Sequence, residues 1–321
     1  MDKINLIVLA NPTEPQLAML EALPPETGIA VGNTAEAFER AAPEASIIYN
    51  WSGSGALLRE VLGMCPTVRW VHCRAAGLDD LLSPEVVEHP VTLTNGTGVF
   101  SPPLGEFVLG AVIYFAKDFR RLMRQQMAGI WEPFDVDAVA GRTAGIVGYG
   151  DIGRAAATRL KAFGLNILAL RRSIPAAADP VVSKYYATER LAEMIPQCDY
   201  VVVTAPLTAE TRGMIGAREF ALMKRDAVVI NVGRGAVIDE PAMIAALTEN
   251  RILGAALDVF STEPLPEGHP FFRLENVLLS PHSTDHTRDW LERAMQFFLD
   301  QFARFAKGEK LLNVVDKRRG Y

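Results

Sequence analysis

Apolar residues occur along the chain in two series of short runs, separated by longer segments in which apolar and polar positions mix. Short apolar runs that alternate with longer amphipathic segments are typical of parallel strands joined by helices. We therefore predict an α/β protein with two domains, each a doubly wound parallel sheet. The predicted strands are INLIVLA, SIIYN, VRWVH and VTLTN in the first series, and TAGIVG, NILAL, YVVVT, AVVIN, AALDVF and VLLS in the second.

The join between the two series is predicted to be a helix. In SPPLGEFVLGAVIYFAKDFRRLM, Ser101 suits an N-cap and Pro102 suits the first helical position. The segment is then apolar on nearly every face until Lys117, so it must be buried all round. A second domain or a second subunit could cover it, and we predict a homodimer. A central helix inside a monomer fits the pattern equally well.

A second helix is predicted near the C-terminal end, in STDHTRDWLERAMQFFLDQFARFAKG. Its apolar residues recur at helical spacing, and Gly308 stands where a helix would stop. The pattern predicts a long amphipathic helix that leaves the second domain, and the repeating residues are Leu291, Met295, Phe298, Phe302 and Phe305.

Composition narrows the possible functions. The chain has 321 residues, 49% of them hydrophobic, which is enough for two domains. Its net charge of −6 is spread over mixed acidic and basic residues, so nucleic acid is not an expected partner. No apolar run approaches the roughly 20 residues that span a bilayer, so we expect no membrane association. Three cysteines without a CxxC pair favour a reducing cytoplasm.

The segment IVGYGDIGRAAATRL carries a phosphate-binding motif. Gly148, Gly150 and Gly153 follow an apolar strand and open an Ala-rich helix, the context in which G-x-G-x-x-G binds a dinucleotide. The first glycine permits a tight turn, the second lets the backbone approach a pyrophosphate, and the third allows close helix–strand packing. The helix N-terminus attracts the anion. The predicted cofactor-binding loop also includes Tyr149, Asp151 and Ile152.

The end of the next strand lacks the expected acid. Arg171 stands eighteen residues after Gly153, where an Asp or Glu would bind the ribose 2′-hydroxyl of NAD. A guanidinium cannot accept that hydrogen bond, but it can bind a 2′-phosphate, with Arg172 and Ser173 as helpers. We therefore predict a preference for NADP, with NAD possible. The alternative interpretation is a solvated basic loop.

Three further residues follow apolar strands of the second series. The segments VINVGRGAVIDE, GAALDVFSTEPLP and LLSPHSTDHT place Arg234, Glu263 and His282 just after successive strands. The carboxyl ends of parallel strands share one edge of a sheet, where open α/β folds bind their ligands. We expect the three side chains to lie together at that edge.

The motifs from the glycine loop through PLTAET, VGRG, DVFSTEPLP and SPH to the final NVVDKRRGY resemble the D-isomer-specific 2-hydroxyacid dehydrogenase family. The resemblance covers nearly the whole chain and is weaker before Val71. It implies two Rossmann-like domains with a cleft between them, and hydride transfer between a nicotinamide dinucleotide and a small 2-keto or D-2-hydroxy acid. In this scheme Arg234 pairs with the substrate carboxylate, His282 exchanges a proton with the carbonyl oxygen, and Glu263 orients His282.

The same resemblance implies further assignments. Asp258 would lie near the nicotinamide carboxamide, with Val232 over the ring. Ala76 and Gly77, in CRAAGLDDL, would bind the substrate carboxylate through backbone N–H groups, although a simple turn is the alternative. The substrate domain would comprise residues 1–100 and 285–321, and the dinucleotide-binding domain residues 101–284. Two other residues are expected beside the cofactor, Pro206 and Thr208.

Other functions are less favoured by the sequence. His282 and His286 are four residues apart, but Pro281 and the Ser-Thr pair indicate a loop, so we expect no metal. No tyrosine has a lysine four residues on, which argues against a short-chain dehydrogenase. Glu263-Pro264 replaces the Gln-Pro of the related formate dehydrogenases. The remaining alternatives are an NAD-preferring enzyme and a corepressor-like sensor of dinucleotides. Glyoxylate and hydroxypyruvate are expected substrates by family analogy.

Overall fold

The computed structural model describes residues 3–177 and 179–320. The chain forms two compact units. Unit 1 comprises Met1–Phe100 and Arg288–Tyr321, and unit 2 comprises Ser101–Thr287. Each unit has its own parallel sheet and its own apolar core. The prediction of an α/β protein with two Rossmann-like domains is confirmed.

Unit 1 is built on a five-stranded sheet in the order β2-β1-β3-β4-β5, and every strand pair is parallel. This order is that of a flavodoxin-like sheet. The loops that follow β3, β4 and β5 leave from one edge because these strands run in the same direction. The strands are β1 (Asn5–Leu9), β2 (Gly28–Gly32), β3 (Ile47–Asn50), β4 (Trp70–Cys73) and β5 (Thr92–Asn95), and the helices between them are α1 (Gly55–Met64) and α2 (Pro84–Glu88).

Unit 2 contains a seven-stranded sheet in the order β12-β11-β10-β9-β6-β7-β8, again parallel throughout. The chain reverses direction across the sheet between β6 and β9, which makes their carboxyl ends a switch point where ligands bind. Its strands are β6 (Thr143–Val147), β7 (Asn166–Leu170), β8 (Lys184–Tyr186), β9 (Tyr200–Val203), β10 (Val228–Asn231), β11 (Gly254–Leu257) and β12 (Val277–Leu279). Its helices are α3 (Ser101–Ala116), α4 (Phe119–Ala128), α5 (Asp151–Ala162), α6 (Leu191–Met194), α7 (Ala217–Leu222) and α8 (Glu240–Thr248).

The chain then returns to unit 1 as α9 (Trp290–Ala306). The predicted C-terminal helix is therefore confirmed, although it begins after residues 283–289 rather than within them. Phe298 is fully buried and its ring lies 4.0 Å from that of Tyr49. Gly308 follows the helix with a φ of +68°, a left-handed conformation that glycine adopts without strain.

Helix α3 packs closely on α5. A Cβ on Gly105 would lie 2.9 Å from the backbone of Ala155, so the two helices approach as near as a glycine allows. Within this chain α3 is not covered on every face, because Gly110 is exposed and Ile113 is only half-buried. The rest of this chain thus leaves part of the apolar surface of α3 uncovered. The helix also begins at Ser101 itself, one residue earlier than predicted.

All ten predicted strands are present, and the structure adds β2 and β8, which lie at sheet edges. Among the described residues, no helix combines the length and the apolar character needed to span a membrane. Cys65, Cys73 and Cys198 are all free and buried. Burial raises the pKa of the Cys65 thiol to about 11 and those of the other two to about 12, so all three are poor nucleophiles.

Candidate active site

The turn between β6 and α5 contains the three predicted glycines, each in a different environment. Gly148 has a φ of +94°, and a Cβ there would lie 2.5 Å from the backbone of Ala205. A Cβ on Gly153 would lie 2.8 Å from the carbonyl oxygen of Gly148. A Cβ on Gly150 would meet nothing within 4 Å. The outer glycines therefore allow the turn and the packing of α5, whereas Gly150 leaves the backbone accessible to a ligand.

The beginning of α5 is suited to an anion. Gly150 is the N-cap and offers no side chain to the first N–H groups of the helix, which have no partners within an α-helix. Those N–H groups and the positive end of the helix dipole favour a phosphate. Asp151, in the first turn, accepts a hydrogen bond from the Ser101 hydroxyl. The turn, which also contains Tyr149 and Ile152, therefore fits a dinucleotide pyrophosphate.

A pocket of about 530 Å³ adjoins the glycine turn. Arg171, directly after β7, is half-buried and lines this pocket. Its backbone N–H donates to the Tyr186 carbonyl at 3.1 Å, which fixes the start of the connection to β8. Arg172 and Ser173 are exposed. Neither of them is among the described residues that line the pocket. Of the three predicted 2′-phosphate ligands, Arg171 is the one that the structure brings to the glycine turn.

Arg234, Glu263 and His282 follow the carboxyl ends of β10, β11 and β12, three adjacent parallel strands. His282 Nδ1 lies 2.6 Å from Glu263 Oε2, and the Phe260 N–H donates to Glu263 Oε1 at 2.8 Å. Both oxygens of the Glu263 carboxylate are therefore engaged. The structure brings His282 and Glu263 into direct contact.

The contact with Glu263 determines which nitrogen of His282 is available. An ionised carboxylate can only accept hydrogen bonds, so the proton of a neutral His282 ring resides on Nδ1. Nε2 is then the nitrogen that can gain or release a proton. The His282 side chain is 45% exposed, which leaves the ring accessible to a reactant. The pair has the arrangement of an oriented general acid–base.

The loop that carries Arg234 is held by a residue that sequence analysis assigned no role. Asn231, fully buried at the end of β10, accepts from the Gly233 N–H at 3.0 Å and donates to the Arg234 carbonyl at 3.1 Å. A Cβ on Gly235 would lie 1.9 Å from the carbonyl carbon of Phe260, so this loop packs directly on the one that leads to Glu263. An Asn that ends the apolar run VVIN was the available signal.

Asp258 has a role in the His282 loop that sequence analysis also missed. Its carboxylate is buried and accepts from the backbone N–H groups of Ser283 and Thr284 at 3.0 and 3.3 Å, and from the Thr284 hydroxyl at 2.8 Å. These bonds fix the chain immediately after His282. An Asp directly after an apolar strand was the only sequence signal for this clamp.

The other predicted cofactor residues follow neighbouring strands. Pro206 and Thr208 come after β9, where the Thr211 hydroxyl donates to the Pro206 carbonyl at 2.6 Å and accepts from the Thr208 N–H at 2.8 Å. Val232 directly follows β10 and is buried. These residues share the carboxyl edge of the sheet with the glycine turn.

The predicted substrate loop lies in unit 1, after β4. Asn95 Nδ2 donates to the Ala76 carbonyl at 2.6 Å, which anchors the loop to the end of β5. Within the described part of the chain, no hydrogen bond uses the N–H of Ala76 or of Gly77. The loop therefore retains backbone donors, as anion binding requires.

The segment after His282 is not helical, so His286 does not share a helix face with it. His286 Nε2 lies 3.7 Å from Asp285 Oδ1, and burial raises the pKa of Asp285. The described residues contain no group of three or more His, Cys, Asp or Glu side chains placed to hold a metal ion.

Comparison with known proteins relates this geometry to established families. Residues 109–284 match the family described as D-isomer specific 2-hydroxyacid dehydrogenase, NAD binding domain. The glyoxylate reductase of Thermococcus litoralis is 33% identical over 269 residues, which cover 81% of this chain and 80% of that protein.

Two solved structures resemble the whole chain. A D-isomer specific 2-hydroxyacid dehydrogenase from Xanthobacter autotrophicus, in complex with NADPH and MES, has a TM-score of 0.87 at 30% identity and covers 99% of this chain and 100% of its own. An NADPH-dependent glyoxylate/hydroxypyruvate reductase from Sinorhizobium meliloti, in complex with NADP and sulfate, has a TM-score of 0.86 at 27% identity with the same two coverages.

Proposed function

The chain belongs to the D-isomer-specific 2-hydroxyacid dehydrogenase family, and from that premise we propose that it reduces glyoxylate, hydroxypyruvate or a similar small 2-keto acid with NADPH as the preferred cofactor. The observation that carries the proposal is the 2.6 Å contact of His282 with Glu263, at the same sheet edge as the glycine turn. An oriented acid–base beside a dinucleotide site is what reversible carbonyl reduction requires.

His282 is the proton donor in this proposal. The nicotinamide dinucleotide, when bound, supplies the hydride for reduction and accepts it in the reverse direction. His282 Nε2 donates a proton to the carbonyl oxygen and recovers it when the hydroxy acid is oxidised. Glu263 holds the ring through Nδ1, and Asp258 holds the backbone that follows, so the imidazole keeps one orientation throughout.

Arg234 is the proposed anchor for the substrate carboxylate. Its planar guanidinium can donate two parallel hydrogen bonds to a carboxylate, which fixes the position of the neighbouring carbonyl. The positive charge also stabilises the oxyanion that develops on that carbonyl. Ala76 and Gly77 of unit 1 supply backbone N–H donors to the carboxylate. We thus assign unit 1 as the substrate domain and unit 2 as the dinucleotide-binding domain.

A product analysis tests the reaction directly. Hydroxypyruvate incubated with the protein and NADPH is expected to yield D-glycerate, which chiral chromatography separates from the L form. Consumption of NADPH should match the glycerate formed. Formation of L-glycerate, or no consumption of any of a panel of 2-keto acids with either cofactor, would contradict the proposed function.

The proposed NADP preference depends on Arg171. Arg171 lines the pocket beside the glycine turn, and its side chain has no ion pair within the described residues. Two similar solved proteins hold NADPH or NADP, which supports a 2′-phosphate contact here. Arg171→Asp should shift the ratio of kcat/KM for NADPH over NADH toward NADH. If the wild type already prefers NADH, the alternative interpretation is correct, and Arg171 and Arg172 belong to a solvated basic loop.

A homodimer in the cytoplasm is the proposed state of the enzyme. Helix α4 and the segment after it expose a run of apolar side chains, including Met127 at 90% and Trp131 at 98% exposure. A patch of this kind is more typical of an interface than of a free surface. Sedimentation at micromolar concentration should give twice the mass of the chain, and a monomeric mass would contradict the dimer. The patch consists of Phe119, Leu122, Met123, Met127, Ile130 and Trp131.

A further inference from the structure

The pocket beside the glycine turn contains an acid that sequence analysis did not single out. Asp179 lies in the connection between β7 and β8, eight residues after Arg171, and both side chains line the pocket. Arg154, in the first helical turns of α5, lines it as well. A carboxylate next to a proposed 2′-phosphate site is unexpected, because like charges repel.

The Asp179 carboxylate is almost fully used by three donors. Oδ2 accepts from Arg154 Nε at 2.8 Å and from the Tyr149 hydroxyl at 3.0 Å, and Oδ1 accepts from the Val181 N–H at 3.0 Å. These donors lower the pKa of Asp179, with the Arg154 hydrogen bond as the largest cause. Burial, followed by the bond to Asp179, raises the pKa of Tyr149. The carboxylate is therefore ionised. Because it already accepts three hydrogen bonds, it has little capacity left to accept another from a ribose hydroxyl.

The ion pair changes the charge that the pocket presents to a ligand. Arg154 is neutralised by Asp179, with 14% of the acid's side chain and 63% of the arginine's exposed. Asp151, the other acid in the lining, accepts from the Ser101 hydroxyl. Arg171 is the one arginine of the described lining without an ion pair. The pocket thus offers one uncompensated guanidinium although it contains two.

We propose that Asp179 is a specificity-determining residue that limits the preference for NADPH by keeping Arg154 from the 2′-phosphate. This inference rests on the proposed role of Arg171 as the 2′-phosphate contact. With Asp179 in place, a 2′-phosphate meets Arg171 alone and NADH remains an acceptable cofactor. Without the carboxylate, Arg154 is released and the same pocket presents a second guanidinium to the dianion.

The test compares two ligands that differ only in the 2′-phosphate, adenosine 2′,5′-bisphosphate and adenosine 5′-monophosphate. Their dissociation constants are measured by calorimetry on the full chain, so no turnover is needed. Asp179→Asn keeps the shape of the side chain and removes its charge. It should tighten the bisphosphate about tenfold, the effect of one added charge-assisted hydrogen bond, and leave the monophosphate unchanged.

Arg154→Gln tests whether the gain in bisphosphate affinity comes from the release of Arg154. In the wild type it should not tighten the bisphosphate, because it leaves the Asp179 carboxylate without its cation in the same pocket. In the Asp179→Asn background it should abolish the tenfold gain. Glu106→Gln is the matched control, since it frees Arg159 on the same helix from a 3.2 Å ion pair outside the pocket. It should leave both dissociation constants unchanged, and thermal melts establish that each variant is folded.

Three results would overturn the inference. Asp179→Asn could leave the bisphosphate affinity unchanged, its gain could persist after Arg154→Gln, or it could weaken the monophosphate instead, which would make Asp179 a direct ribose acceptor. Arg171→Ala separates these failures from that of the proposed function. If Arg171→Ala weakens the bisphosphate selectively, the 2′-phosphate site stands and only the role of Asp179 is wrong. If it does not, the NADP assignment itself is wrong.

Discussion

His282 combines a left-handed backbone, with a φ of +52°, and a 2.6 Å hydrogen bond from its ring to a carboxylate. A residue other than glycine in this conformation costs on the order of 1 kcal/mol or more, and such strain persists where the surroundings determine it. Here Glu263 fixes the ring and Asp258 fixes the following backbone. These hydrogen bonds therefore hold His282 in a strained backbone conformation that orients its ring.

Replacing His282 tests its role as the proton donor. His282→Gln should lower kcat by about two to four orders of magnitude, because the glutamine amide cannot act as a proton donor near neutral pH. Cofactor affinity should change little, since the dinucleotide is assigned to the glycine turn. Steady-state kinetics and a fluorescence titration with NADPH measure the two effects. Near-normal turnover by the variant would exclude His282 as the acid.

Buried His72 predicts a pH dependence of stability in unit 1. Burial lowers the pKa of His72 from 6.5 to about 3, so the folded chain keeps the ring neutral while the unfolded chain protonates it below pH 6.5. The free energy of unfolding should therefore fall as pH drops from 6.5 toward 3, by up to about 1.4 kcal/mol per pH unit. Its Nδ1 contacts the Thr94 hydroxyl at 2.8 Å, and its Nε2 has no partner in the described residues.

His72→Phe should flatten that dependence, because it removes the titrating group from an aromatic environment that accepts a ring. Urea titrations between pH 5 and 7, followed by tryptophan fluorescence, measure the effect. The signal reports mainly on unit 1, which contains Trp51, Trp70 and Trp290. Equal pH slopes for the wild type and the variant would contradict the account of His72.

At the scale of elements, sequence periodicity identified the interior strands and missed both β2 and β8. These strands lie at the edges of their sheets, where one side has no neighbouring strand. Strand β8 is three residues long and reads Lys-Tyr-Tyr, with the lysine exposed. Its length and its charge, which are typical of edge strands, leave no apolar run to detect. Strand β2 reads Gly-Ile-Ala-Val-Gly, and its two glycines leave an apolar run of only three residues. The edge strands β5 and β12 have clearer apolar runs and were identified.

The contact between α3 and α5 predicts opposite effects for two glycines of one helix. Gly105→Ala should destabilise the protein by about 1–3 kcal/mol, because its Cβ meets the backbone of α5. Gly110→Ala should stabilise it by about 0.5–1 kcal/mol, because that position is open and alanine favours a helix. Urea titrations followed by circular dichroism compare the two. Equal effects would show that the close approach does not limit α3.

At the scale of the whole molecule, the candidate site was predictable where each residue acts through local context. The glycine turn, Arg171 and the order Arg234, Glu263, His282 all follow apolar strands, and parallel strands bring such positions to one edge. Asn231 had only a weak signal, its position at the end of a strand, and Asp179 had none, because their roles depend on hydrogen bonds formed after folding. Asp179, for example, contacts residues 25 and 30 positions away.

The proposed activity is the reduction of 2-keto acids with NADPH as the preferred cofactor. The most direct test is the initial rate of NADPH and NADH oxidation by the wild type, followed by absorbance, against glyoxylate, hydroxypyruvate and other 2-keto acids. We expect saturable oxidation with at least one of these acids and a higher kcat/KM for NADPH than for NADH. No oxidation with any acid, or a higher kcat/KM for NADH, would contradict it.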